Sequence, residues 1–237
     1  MKLAIVPARG GSKRIPGKNI RLFAGKPIIT YSIEAALACR LFDHVIVSTD
    51  DQQIADQAIE CGAEVPFTRP AGLADDFTVI ADVIRHTIEW FSLERNQQID
   101  QACCIYATAP LIQPESIRRA MAVLAEGRAD FALSVCSFSF PIQRALKMDE
   151  QGCVSMVNPE YASTRSQDLQ ECYHDAAQFY AGTGDAFSGK VTAPVTAGVP
   201  VPRNTVQDID TEEDWAVAEQ MYYAYRYLAA RRHSKHE

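Results

Sequence analysis

With 237 residues, 47% of them apolar and 22% charged, the chain is long enough for one substantial core and has the balance of an ordinary globular protein. That balance excludes a disordered or collagen-like chain, and no apolar run reaches the length needed to span a bilayer. The formal charge of −7 is unevenly spread, because residues 1–33 carry seven cations and no acid and so leave −14 to the remainder. An acidic protein with one basic loop is suited to a small polyanion and poorly suited to wrapping nucleic acid.

Leu3 to Val6 reads as a short buried strand. It runs straight into Arg9, Lys13 and Arg14, too early for a signal-peptide core, so a cytoplasmic protein without a membrane contact is expected. The loop that follows, PARGGSKRIPGKN at residues 7–19, stands where the carboxyl end of a strand in a doubly wound sheet receives a ligand. Gly10 and Gly11 allow close approach of backbone N–H groups to oxygens, while Arg9, Lys13 and Lys18 supply charge for a polyphosphate. It is not a Walker A loop, since five residues separate Gly11 from Gly17 and Asn19 replaces the magnesium-binding Ser or Thr. A solvated basic turn is the plainer alternative, but six cations from Arg9 to Lys26 without an acid among them favour a visiting anion.

Further along, Ile29, Ile33, Ala36 and Leu37 share a helical face, Val45 to Val47 read as a strand, and Ile80, Val83, Ile84, Ile88 and Phe91 form a second helical stripe. Ala102 to Tyr106 and Phe131 to Val135 repeat the strand pattern, with Ile117, Ala120, Met121 and Leu124 on a helix opened by Pro114 between them. Strands alternating with helices predict an α/β fold of three layers with a mostly parallel sheet. After Pro141 the alternation lapses, and residues 142–195 read as an inserted excursion within a single domain spanning 1–237. The sequence Gln207-Asp208-Ile209-Asp210 sets two carboxylates two apart, which in an extended segment points both to one side. Such a pair suits a hard cation such as magnesium, although for an isolated pair Asp210 or Thr211 capping the next helix, with Asp208 solvated, is the plainer reading. That helix opens on a capping box at 211–214 and carries Trp215, Ala218, Tyr222 and Tyr225 on one face, with a frayed tail expected from Arg231. The seven cysteines, at 39, 61, 103, 104, 136, 153 and 172, lack CxxC spacing and are read as reduced thiols.

Taken in order, ARGGSKRIPGKN (8–19), GKPII (25–29), VSTD (47–50), TRPAGLADD (68–76), TAPL (108–111) and QDIDTEEDW (207–215) resemble the CMP-sialic acid synthetase, or acylneuraminate cytidylyltransferase, family over nearly the whole chain. Within it, FSFPIQRAL (138–146) and TRSQDLQECYHDAAQFY (164–180) resemble the pseudaminic acid branch more than the N-acetylneuraminate or ketodeoxyoctonate branches. The resemblance implies a nucleotidyltransferase Rossmann-like fold, a homodimer using the excursion as its interface, and Mg2+. It also implies CTP and a nonulosonic acid as substrates, with release of pyrophosphate. By residue it assigns Arg9, Gly10, Gly11, Ser12, Lys13, Lys18, Asn19, Arg69, Asp76 and Thr108 to the nucleotide, with Asn19 reading the cytosine. Asp208 and Asp210 are assigned to the metal, and Lys18 joins them in catalysis. Two positions depart from the branch pattern YHDAGQFYW, which here has Ala177 and Ala181.

For the acceptor sugar, Gln143, Arg165, His174, Gln178 and Tyr180 offer a donor-rich set, with Arg165 able to hold a carboxylate by its planar fork. Arg165 pairing with Asp168, and His174 with Asp175 as a loop pair, remain open alternatives. The expected reaction is attack of the sugar's anomeric hydroxyl on the α-phosphorus of CTP, with Asp208 or Asp210 as the candidate base. The same transfer to N-acetylneuraminate or legionaminate, or a module that senses CTP without turnover, are the competing readings.

Overall fold

The computed structural model describes residues 1–75 and 78–233. β1 (Lys2–Pro7) buries Leu3 to Val6 completely and pairs in parallel with β4 (His44–Ser48) on one side and β5 (Gln101–Ile105) on the other. The short ladder of β2 (Leu22–Phe23) with β3 (Lys26–Pro27) leads from the basic loop into α1 (Ile28–Cys39). β6 (Phe131–Ser137), the hairpin of β7 (Leu146–Met148) with β8 (Val154–Met156), β9 (Tyr173–Thr183) and β10 (Thr196–Pro200) follow. Among the described residues the main sheet runs β10-β6-β9-β5-β1-β4, parallel except for β9, which is antiparallel to both neighbours.

Alternation along the strands divides the core into two layers. Ala4 and Val6 face α1, α2 (Gln52–Glu60) and α4 (Pro114–Ala125), while Leu3 and Ile5 face α3 (Ile80–Glu94) and the one-turn α5 (Gly184–Phe187). Each fully buried isoleucine, such as Ile5, Ile46 or Ile105, contributes about 1.5–3 kcal/mol by leaving water. The expected helical faces are buried, apart from Ile80, Tyr222 and Tyr225, which are half-buried, and Leu37, which is 41% exposed. All seven cysteines are free, and no described helix is long and apolar enough to cross a membrane.

A third cluster positions the site. Ile15 from the basic loop, Phe23, Tyr31, Ile209 and Trp215 pack together, with Phe23 meeting Tyr31 and Trp215 edge-on at ring separations of 5.5 and 5.6 Å. Trp215 belongs to α6 (Glu212–His233), whose capping box closes as read: the Asp214 N–H donates to Thr211 Oγ1 at 3.1 Å, and the Thr211 N–H to Asp214 Oδ2 at 2.8 Å. Of the tail, α6 continues to His233, and residues 234–237 lie outside the described residues.

The structure shortens the predicted excursion. Residues 173–183, read as part of it, form β9 at the centre of the sheet, so the departure from the sandwich is confined to the hairpin and 3-10 turns before Tyr173. A central strand carrying Ala176, Ala177, Gln178, Ala181 and Gly182 lacks the Val and Ile runs that signal one. The small residues are needed there, since a Cβ on Gly182 would stand 2.6 Å from the Phe131 ring and 2.8 Å from that of Phe187. Ala181 is likewise fully buried between β5 and β6, so it faces the core instead of a ligand. Ala177 sits at φ 50, next to the register shift opposite β6. This left-handed conformation costs an L-residue roughly 1 kcal/mol relative to glycine. Ala177→Gly should therefore not destabilise the fold, and is expected to raise the denaturation midpoint slightly in urea titration. A clear loss of stability would show that the methyl group contributes packing.

Candidate active site

The basic loop wraps a cleft of roughly 470 Å3 beyond the carboxyl end of β1, lined by Arg9, Ser12, Lys13, Arg14, Lys18, Asn19, Tyr106, Ala107 and Thr108. Gly17 turns the chain at φ 61 into a 3-10 turn, Lys18–Ile20, while Ile15 anchors the loop in the core. The Asn19 amide donates to the Arg9 carbonyl at 2.9 Å, tying the loop across its own neck. Gly10 differs from expectation: its N–H is spent on Asp50 Oδ1 at 3.1 Å, and a Cβ there would lie 2.5 Å from Asp51 Oδ2. Its lack of a side chain thus serves close packing against the end of β4, whereas Gly11 faces open space. Arg69 is buried, donates from Nε to Ser48 Oγ at 3.1 Å and to the Ser48 carbonyl, and so braces the end of β4. Burial pushes the Arg69 guanidinium below its usual pKa, an effect opposed by nearby Asp50 and reinforced by Arg9. Asp76 lies outside the described residues.

The acidic segment meets this loop in space. Because Ile209 is buried in the third cluster, its neighbours Asp208 and Asp210 turn outward together. Lys18 donates to the Ile209 carbonyl and approaches Asp210 Oδ1 at 3.5 Å, while Arg14 holds Asp210 Oδ2 at 2.7 Å. Two further loop cations also have acids, Arg21 with Glu212 and Lys26 with Glu34. The basic segment is therefore partly neutralised by Asp210 and Glu212, distant in sequence, and by Glu34 just beyond it, which corrects the expectation of uncompensated charge. Asp208 is held above the ordinary carboxylate pKa, first by partial desolvation and then by Asp210, with Lys18 opposing. Asp208 belongs to the wall of a second cavity of roughly 560 Å3, lined also by Tyr106, His174, Asp175, Ala176, Ala177, Val206 and Gln207. Tyr106 is the wall common to both spaces.

Residues 3–193 match the family model described as cytidylyltransferase. The chain belongs to the cytidylyltransferase family. It is 42% identical over 222 residues to a pseudaminic acid cytidylyltransferase of Campylobacter jejuni, covering 93% of this chain and 95% of that one. It is 34% identical over 232 residues to a CMP-N,N'-diacetyllegionaminic acid synthase of Legionella pneumophila, covering 92% of this chain and 95% of that one. Among solved structures, CMP:2-keto-3-deoxy-manno-octonic acid synthetase complexed with CTP superimposes with a TM-score of 0.67 at 17% identity, covering 94% of this chain and 99% of that chain, which establishes the shared Rossmann-like fold.

In this cytidylyltransferase the five residues read as acceptor ligands do not converge. His174 lines the second cavity, with Nδ1 2.7 Å from the Asp175 carbonyl and its ring edge-on to Phe138. Gln178 is buried and donates to the Thr205 carbonyl, so it locks β9 to the following segment. Gln143 donates to the Gln170 carbonyl at 2.9 Å and bridges the excursion internally. Tyr180 lines an apolar groove on the far side of Tyr106, with Val79, Ile80, Phe131, Leu133 and Phe187. Arg165 is exposed in the excursion, lines neither cavity, and makes no ion pair with Asp168 among the described residues. The residues that sequence reasoning missed are Asp50, which ends the VSTD block, and Asp51 just after it, which shape the loop, and Tyr106, which is separated from the quoted TAPL block by Ala107.

Proposed function

We propose that the chain transfers CMP from CTP to the anomeric hydroxyl of a nonulosonic acid, with pseudaminic acid as the acceptor, and releases pyrophosphate. The observation that carries the reading is contiguity: a cation-lined cleft sized for a nucleotide abuts a second cavity with Asp208 on its wall, so a donor and an acceptor can meet at a carboxylate. The choice of acceptor rests on the likeness to the Campylobacter jejuni enzyme. Arg9, Lys13 and Lys18 hold the triphosphate, and their charge offsets what develops on its oxygens. The acceptor oxygen attacks the α-phosphorus, the bond to the departing pyrophosphate breaks, and Asp208 takes the hydroxyl proton.

Asp208 and Asp210 would also hold a magnesium ion. The donor set fits, being two outward-facing carboxylates beside a phosphate-binding cleft. Among the described residues no group of three or more His, Cys, Asp or Glu surrounds the pair, so substrate phosphates and water would complete the six-oxygen shell. When bound, the ion would neutralise phosphate charge.

We also infer a homodimer working in the cytoplasm. Phe140, Leu146, Met148 and Val154 are 83, 60, 71 and 62% exposed on the excursion, an apolar surface in want of cover, which supports the reading. Pyrophosphate release from CTP should be fastest with pseudaminic acid, slower with legionaminic acid and slowest with N-acetylneuraminic acid. Equal turnover of N-acetylneuraminic acid would overturn the acceptor assignment, and a fully active monomer in sedimentation would overturn the dimer.

A further inference from the structure

We propose that Tyr106 is a substrate-positioning residue for this reaction, its ring partitioning the nucleotide cleft from the acceptor cavity and its hydroxyl donating a hydrogen bond to an oxygen of the acceptor sugar. The inference rests on the acceptor reading above. The ring borders the cation-lined cleft, the cavity holding Asp208 and His174, and the apolar groove behind. Its backbone is fixed on both sides: the N–H donates to the Gln178 carbonyl at 3.0 Å, and the carbonyl accepts from Ser32 Oγ at 2.7 Å. Tyr180 stands behind the ring at 5.9 Å between centroids. A side chain so held presents one orientation to a ligand, at little further loss of rotamer freedom.

The hydroxyl is uncommitted. The charges acting on it include those of Asp175 and Asp208, both on the acceptor cavity, and among the described residues the hydroxyl has no hydrogen-bond partner. The polar side chains of Gln207, His174 and Asp175 on that cavity are committed. The Gln207 amide donates to the Asp208 carbonyl at 3.0 Å and to Asp214 Oδ1 at 3.1 Å. His174 Nδ1 is engaged with the Asp175 carbonyl, and Asp175 Oδ1 accepts from the Ala177 N–H at 2.8 Å. A polyhydroxylated sugar acid brought against this wall meets carboxylates that would repel its own, with the Tyr106 hydroxyl as the uncommitted neutral donor.

Tyr106→Phe keeps the partition and removes the donor. Steady-state kinetics should show kcat/KM for the acceptor falling about tenfold, as expected for one hydrogen bond. CTP affinity by calorimetry and the thermal midpoint should stay near native values. Tyr106→Leu removes the partition as well, and should weaken both substrates. Acceptor kinetics of Tyr106→Phe within twofold of native would overturn the proposal, and so would a matching fall in CTP affinity, which would mark a structural role. A native enzyme that turns over no nonulosonic acid would instead sink the acceptor reading itself, a failure visible before any variant is made.

Discussion

Lys18→Ala is expected to lower kcat/KM for CTP about a hundredfold, equivalent to about 2.7 kcal/mol. Lys18 opens the 3-10 turn set by Gly17, and its side chain is only 18% exposed, so its charge acts across a less screened path than a surface lysine's would. It lines the cleft, donates to the Ile209 carbonyl and stands 3.5 Å from Asp210. Removing it takes a cation from the triphosphate and also releases the strap that holds the acidic segment against the loop. Arg14 does not replace it: it is 69% exposed, and an ion pair so solvated is worth little. Calorimetric titration with CTP should show the loss as weakened binding, and Lys18→Arg should recover part of it. Kinetics unchanged in CTP would remove Lys18 from the nucleotide site.

Much of the sandwich was legible because its signals are local. The runs at Leu3 to Val6 and Val45 to Val47, and the stripes on α3 and α4, carry their periodicity within a few residues, and the buried faces follow it. β9 was not legible, because its neighbours Phe131 and Phe187 demand small side chains, and Ala, Gly and Gln spell no strand. Charge pairing was equally hidden. Nothing near Arg14 or Lys18 in sequence announces Asp210, which is brought there by Ile209 entering the same cluster as Ile15. The cleft was thus readable as a list of cations from one loop. The acceptor side was not, because Gln178 looks like a ligand in sequence and turns out to be a buried tie, while Tyr106 lies outside every basic or acidic motif.

Asp208→Asn should lower turnover at least a hundredfold while making the metal-free, nucleotide-free protein more resistant to denaturation at neutral pH. The loss follows from the proposed role, since an amide neither accepts the acceptor's proton nor carries the charge that would hold a cation. The gain follows from the direction of the pKa shift. Asp208 is held above its ordinary value because folding partly desolvates it and sets it near Asp210. Between the unfolded and the folded pKa, the folded state keeps a proton that the unfolded chain has lost, so stability falls as pH rises through that window. Above the window the cost of ionising the partly desolvated Asp208 beside Asp210 remains, and the asparagine variant is free of it. Below the ordinary carboxylate range Asp208 is protonated in both states, so native and variant proteins should converge there. Urea titrations in the presence of a chelator, at neutral pH and near pH 3, should show the variant's advantage at the first and not at the second. A variant less stable than native at neutral pH would mean that Lys18 outweighs desolvation at this carboxylate. A variant with native turnover would remove Asp208 from the chemistry. Higher stability together with lost turnover is the signature of a site whose unfavourable charge is kept for its reaction.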